Sequence, residues 1–262
     1  MDAIPAGSVV WVNIESTDVD AIKDFYGSLF GWTYIPIPAP GGRTDHLFTA
    51  PGAAFPMGHV EPSSSGAEYV ALGTVSYDVP EDAARLKNLG AQVVVAPGKA
   101  ADGGDYALMR DPRGNVFVIW TPPELPADAP PPDPSALAPK PGSAAWFEIG
   151  TRDIEATKSF YAEALGWRYE LDLSVPGGPY WSVCTGTPLP AGGLRDLSGS
   201  PEAAEYSMHL FLTADISASA RKAVSLGASI EQAPTGDGRS FARLRDPRGN
   251  RFGLFSPGTS TD

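Results

Sequence analysis

Residues Asp111–Trp120 read DPRGNVFVIW, and residues Asp246–Phe255 read DPRGNRFGLF. Asp-Pro and Gly-Asn are turn formers, and each copy runs on into an apolar, strand-like stretch. The two copies lie 135 residues apart (246 − 111). The same offset relates FYGSLFGW at Phe25 to FYAEALGW at Phe160, and Trp11 to Trp146. LGA at Leu89 recurs at Leu226, an offset of 137, so a short insertion precedes it and is compensated after it. Blocks kept in register along the whole chain mean two homologous halves.

Each half reads as two strand–helix–strands units. A strand (Val9–Ile14; Ala145–Ile149) leads to a helix-capping Asp18 or Asp153. Ile22, Phe25, Tyr26 and Leu29 then recur at helical spacing, as do Ile154, Phe160, Tyr161 and Leu165. Gly31 and Gly166 end these helices. A second strand–helix unit starts near Gly73 and Met208, its helices ending at Gly90 and Gly227. The DPRGN turn closes a last hairpin, with the tails of Arg113 and Arg248 expected in solvent. The fold class is therefore α+β. Residues 1–121 form one domain, the proline-rich stretch 122–142 a linker, and residues 143–262 a second domain.

The 262 residues include 31 acidic and 19 basic side chains, a net charge of −12. That argues against nucleic-acid and anionic-membrane partners, which need a basic surface. Cys184 is the only cysteine, so no internal disulfide forms; it reads as a packing residue in a strand. Neither a signal peptide nor a membrane helix is visible, so the expected location is the cytoplasm. Arginine outnumbers lysine 13 to 6, which with abundant Ala, Gly and Pro points to a bacterial genome rich in GC.

FYGSLFGW, FYAEALGW, the LGA helix ends and the two DPRGN hairpins together resemble the vicinal oxygen chelate superfamily, which includes glyoxalase I, extradiol dioxygenases and bleomycin-binding proteins. The resemblance implies four βαβββ modules forming two glyoxalase-like domains with curved mixed sheets. It also implies a substrate cavity on each concave face, often with a divalent metal. The family's ligands are His, Gln or Glu from the first and last strands of paired modules. At the matching first-strand positions this chain has Trp11 and Trp146, and at the last-strand positions Val118 and Gly253. None can ligate. In SMHLFLTAD, alternation puts Leu210, Leu212 and Ala214 against a helix and His209, Phe211 and Thr213 toward the cavity. A slip of one residue exchanges His209 for Met208. Leu72, or Ala71 after the same slip, is the first-half counterpart, and His59 lies near the remaining ligand position, opposite Gly193. A catalytic metal usually takes about three protein ligands. The expectation is no metal and no other cofactor.

Strand alternation turns Trp11, Asn13 and Glu15 to the cavity in one half, and Trp146, Glu148, His209 and Phe211 in the other; the family's ligand positions imply His59, Trp120 and Phe255 there too, and the 135-residue offset matches Trp181 to His46. Aromatic walls with a few polar groups are usual for small-molecule sites. The alternative is that the tryptophans are core, Glu148 is ion-paired to Arg152 or Arg243, and His209 is an interior hydrogen-bonded side chain. Three functions follow. The first is binding of a small hydrophobic or aromatic metabolite in a cup-shaped cavity without metal, as in drug-sequestering relatives. The second is a metal-free enzyme (isomerase, lyase or hydrolase type) with Glu148 and His209 as an acid–base pair. The third is a metal-dependent lyase or dioxygenase. The paired halves suggest a monomer, with a homodimer as the other possibility.

Overall fold

The computed structural model describes residues 4–100, 103–123, 138–175, 178–200, 203–234 and 240–256. Most of the proline-rich linker lies outside these residues. The N-terminal half comprises β1 (Val9–Ser16), α1 (Val19–Phe30), β2 (Thr33–Ala39), β3 (Arg43–Thr49) and β4 (Gly58–Pro62), then β5 (Tyr69–Val75), α2 (Val79–Asn88), β6 (Gln92–Lys99), β7 (Asp105–Arg110) and β8 (Val116–Trp120). The C-terminal half repeats this order with β9 (Ala144–Thr151), α3 (Ile154–Leu165), β10 (Arg168–Leu171), β11 (Tyr180–Cys184) and β12 (Gly192–Asp196), then β13 (Tyr206–Leu212), α4 (Ile216–Ser225), β14 (Ser229–Gln232), β15 (Ser240–Arg245) and β16 (Arg251–Ser256). These are four βαβββ modules in two mixed eight-stranded sheets, ordered β2-β3-β4-β1-β5-β8-β7-β6 and β10-β11-β12-β9-β13-β16-β15-β14. Within each module the first and last strands pair in parallel.

The capping expectations for Asp18 and Asp153 hold: each accepts a backbone N–H three residues on, and Gly31 and Gly166 adopt the left-handed conformation that ends α1 and α3. Asp78 and Asp215, which the sequence reading did not single out, cap α2 and α4 in the same way. Cys184 is buried in β11.

Contacts gather into two compact units, each mixing the halves. One combines the second module with the third and includes residues up to Trp11; the other combines the first module with the fourth and includes Trp146. The core of the former contains Leu72, Leu86, Phe117, Ile119, Phe147, Phe160, Tyr161 and Trp167. The core of the latter contains Ile14, Ile22, Phe25, Tyr26, Trp32, Phe48, Phe211 and Phe252.

The repeated motifs supply polar locks inside each unit. In the first, Asp111 Oδ1 accepts the backbone N–H groups of Arg113 and Asn115, folding the turn, while Oδ2 accepts the Tyr161 hydroxyl at 2.8 Å. Trp167 Nε1 donates to Gly7 O at 2.8 Å. Gly7 has φ +80°, and a Cβ there would overlap the Leu165 carbonyl. In the second unit Tyr26 donates to Asp246 at 3.1 Å and Trp32 Nε1 to Gly142 O at 2.8 Å. The turn arginines reach the surface, and each is ion-paired there. Arg113 pairs with Asp153 at 2.7 Å, and Arg248 with Glu68 at 2.7 Å. Their carboxylate partners lie 40 and 180 positions away in sequence, where no local pattern reveals them.

Candidate ligand-binding faces

Burial fixes which side of each strand packs on the helices. Val12 and Ile14 of β1, and Phe147 and Ile149 of β9, enter the cores. Their alternates Trp11, Asn13 and Glu15, and Trp146 and Glu148, therefore lie on the helix-free face. Phe117 and Ile119 place Val118 and Trp120 there, and Phe252 and Leu254 place Gly253 and Phe255 there. These assignments agree with the sequence reading.

Two others are reversed. Phe211 is fully buried in the core, with ring centroids 5.1 Å from Phe30 and 5.2 Å from Trp32. The Thr213 hydroxyl meets Ser219 of α4 at 2.5 Å. His209, stacked 6.4 Å from Phe211, shares this helix side, so the slipped register is the one adopted and Met208 and Leu210 turn to the other face. The reason is that residues 208–211 are all buried, which erases the alternation signal. Trp181 packs against the core of its unit, with Lys158 Nζ 5.2 Å from its ring centroid. Tyr180, one residue earlier, takes the helix-free side.

The family's first- and last-strand ligand positions carry side chains without donor atoms, and the space beside them is filled. Trp11 lies 5.0 Å from Trp120 between ring centroids, and a Cβ on Gly73 would sit 2.6 Å from the Trp11 Cβ. In the second unit Trp146 stacks on Phe255 at 6.4 Å and Phe255 on Phe241 at 5.4 Å. A Cβ on Gly253 would come within 2.5 Å of Leu210 Cγ. The residues present do not fit the family metal at these positions.

Among the described residues, each unit carries a polar cluster on the helix-free face. In the second unit Glu15 accepts from Ser63 at 2.6 Å and from Tyr69. Asn13 Nδ2 donates to Glu61 at 3.0 Å, and His59 lies 3.7 Å from Glu61. The donor atoms of Asp45, His59 and Glu61 lie within 4.8 Å of one another, close enough for a cation. Arg43 already bridges both carboxylates, at 2.9 Å each. Burial pushes the Glu61 carboxyl up, but His59, Asn13 and Arg43 outweigh it and hold it below its ordinary range. In the first unit Glu148, 2% exposed, accepts from the Tyr206 hydroxyl and lies 3.6 Å from Arg195 Nε. Arg195 rests 5.5 Å from the Tyr180 ring centroid. Gly193 and Gly150 make room here, since a Cβ on either would overlap Tyr180 or Tyr206. Tyr206 and His209 have opposite parity in β13, so Glu148 has Tyr206 as its hydrogen-bond donor where the sequence reading paired it with His209.

Tyr180, Arg195 and Tyr206, like Arg43, Asp45 and Glu61, were not singled out from sequence. Their signal was available in the parity of β3, β4, β11 and β12, but only once the pairing of Asn13 with His59 and of Glu148 with Gly193 is known.

The model of the glyoxalase-like domain matches twice, over residues 11–120 and 146–255. The chain belongs to the glyoxalase-like family. This tandem glyoxalase-like protein is 29% identical to the anthracycline biosynthesis protein DnrV of Streptomyces peucetius, over 97% of its own length and 94% of the relative's. It is equally similar to DauV of Streptomyces sp. strain C5, another anthracycline biosynthesis protein. Among solved structures, the Mn(II)-bound glyoxalase from Novosphingobium aromaticivorans aligns with TM-score 0.63 at 16% identity, covering 97% of the glyoxalase-like protein and 83% of that chain. The 2,3-dioxygenase LapB from Pseudomonas sp. KL28 aligns with TM-score 0.64 at 15% identity, covering 97% and 93%. These likenesses establish the vicinal oxygen chelate fold. Among the described residues, no helix is long and apolar enough to cross a membrane.

Proposed function

We propose that this protein binds a flat aromatic small molecule against the helix-free faces of its sheets, without the family's metal. The observation that carries the reading is that the first-strand ligand positions hold Trp11 and Trp146, which pack on Trp120 and Phe255, while the last-strand positions hold Val118 and Gly253. Aromatic rings give a planar ligand large contact area at little cost in side-chain freedom. The relatives named for anthracycline biosynthesis accord with a ligand of fused rings. In this reading the protein acts in the cytoplasm, as a monomer or a homodimer.

A second reading is favoured by one observation, the buried Glu148 held by Tyr206 beside Arg195. There Glu148 accepts a proton from the substrate, and Tyr206 and Arg195 stabilise the oxyanion that results. Native mass spectrometry separates the two. A binder releases its ligand unchanged, whereas an enzyme converts it and loses turnover in Glu148→Gln. Turnover that survives Glu148→Gln would remove the catalytic reading. Stoichiometric bound metal in protein purified without chelator would remove the metal-free one.

A further inference from the structure

The aromatic patch of the second unit contains one cation that the first unit's patch lacks. In β15, Ala242 and Leu244 are fully buried in the core, so Phe241 and Arg243 occupy the helix-free face. Phe241 pairs with Phe255 across the strands, and Arg243 pairs with Gly253, which presents no side chain of its own. Leu210 covers Gly253 from β13. Trp146, Phe255, Phe241 and Leu210 thus share this face with Arg243, a residue only 9% exposed. The matching position in the first half, facing Val118 on β7, is Leu108.

We infer that the C-terminal aromatic patch is a site for a planar aromatic acid, with Arg243 as the residue that selects for the negative charge. The inference rests on the aromatic-ligand reading above and goes further, naming the ligand's charge and the half that prefers it. Arginine stays protonated throughout the accessible pH range and offers five N–H donors in a fixed plane. It can therefore serve a protein acceptor and a ligand carboxylate or phenolate together. Partial withdrawal from water strengthens that contact, while the rings cover the ligand's faces. A neutral ring system of the same shape finds the apolar surface but leaves the guanidinium without a new acceptor.

The test uses the full-length protein and two probes of one shape, 2-naphthoate and 2-naphthamide, titrated by isothermal calorimetry. The expected result is tighter binding of the acid by at least about tenfold, the size of one charge-assisted hydrogen bond. Arg243→Met should erase that preference while leaving the amide's affinity in place, which also shows that the variant is folded. Arg243→Lys keeps the charge, should retain a reduced preference, and answers the question if the Met variant does not fold. Phe255→Ala should weaken both probes, and Trp120→Ala should leave the preference intact. Equal binding of the two probes by the wild type, or an unchanged preference in Arg243→Met, overturns the assignment of Arg243 and leaves the aromatic-ligand reading standing. Failure of both probes to bind overturns both.

Discussion

The hydroxyl of Tyr161, from the third module, donates to the carboxylate of Asp111 in the turn that closes the second. Tyr26 of the first module does the same to Asp246 of the fourth. The repeated FY and DPRGN motifs are thus the two sides of one contact, made once in each compact unit. This explains why both motifs are present twice. Each half supplies a tyrosine to the other half's turn.

Removing one hydroxyl should therefore cost stability without disturbing the turn, whose backbone bonds to the Asp remain. Tyr161→Phe and Tyr26→Phe are each expected to lower unfolding free energy by about 1–2 kcal/mol in urea denaturation. Asp111→Ala removes the turn's acceptor as well and should cost more, about 3 kcal/mol. A neutral Asp111→Ala would contradict the account.

The same tyrosines predict an alkaline limit. Burial first, and then the neighbouring Asp charge, hold Tyr26 and Tyr161 well above their ordinary value of 10. A pKa raised on folding contributes stability in full below the unfolded value, and that contribution is lost as pH rises beyond it. Thermal melts should fall steeply above about pH 10, and the fall should flatten in the Tyr26→Phe/Tyr161→Phe double variant. An identical alkaline profile in that variant counts against the contact.

An acid limit follows from Glu68. Partial burial pushes its carboxyl up, but hydrogen bonds from Arg248 and Thr17 prevail and bring it down to about 2. A pKa lowered on folding contributes stability above the unfolded value and loses it as pH falls through the folded one. The contribution should therefore fade between the ordinary carboxylate value of 4.5 and about 2. Glu68→Gln should lower stability at pH 7 and reduce the change across that window. The effect is modest, because the pair is largely solvated.

Gly73 tests the filling of the first metal position. Its missing Cβ leaves the place that the Trp11 side chain occupies. Gly73→Ala should cost about 1–3 kcal/mol by overpacking, and Trp11→Ala in the same chain should relieve part of it. Strictly additive losses would show that the two do not press on each other.

Much of this was legible in the sequence. The offset of 135 residues revealed the halves, the capping aspartates and helix-ending glycines fixed the helices, β1 and β9 alternated clearly enough to orient their side chains, and the family's last-strand position oriented β8 and β16. Reading failed at β13, where four consecutive buried residues hide the period, and at Trp181, whose strand is covered on both sides. The partners of Glu148 and of the turn arginines come from distant strands and helices, so only the folded chain displays them.

The most direct test of metal-free aromatic recognition is a tryptophan-fluorescence titration with an anthracycline, run in EDTA and again with added Mn(II). The account predicts saturable quenching with the same midpoint in both, weakened by Trp120→Ala and by Phe255→Ala. Quenching that vanishes in EDTA and returns with one equivalent of Mn(II) would contradict it.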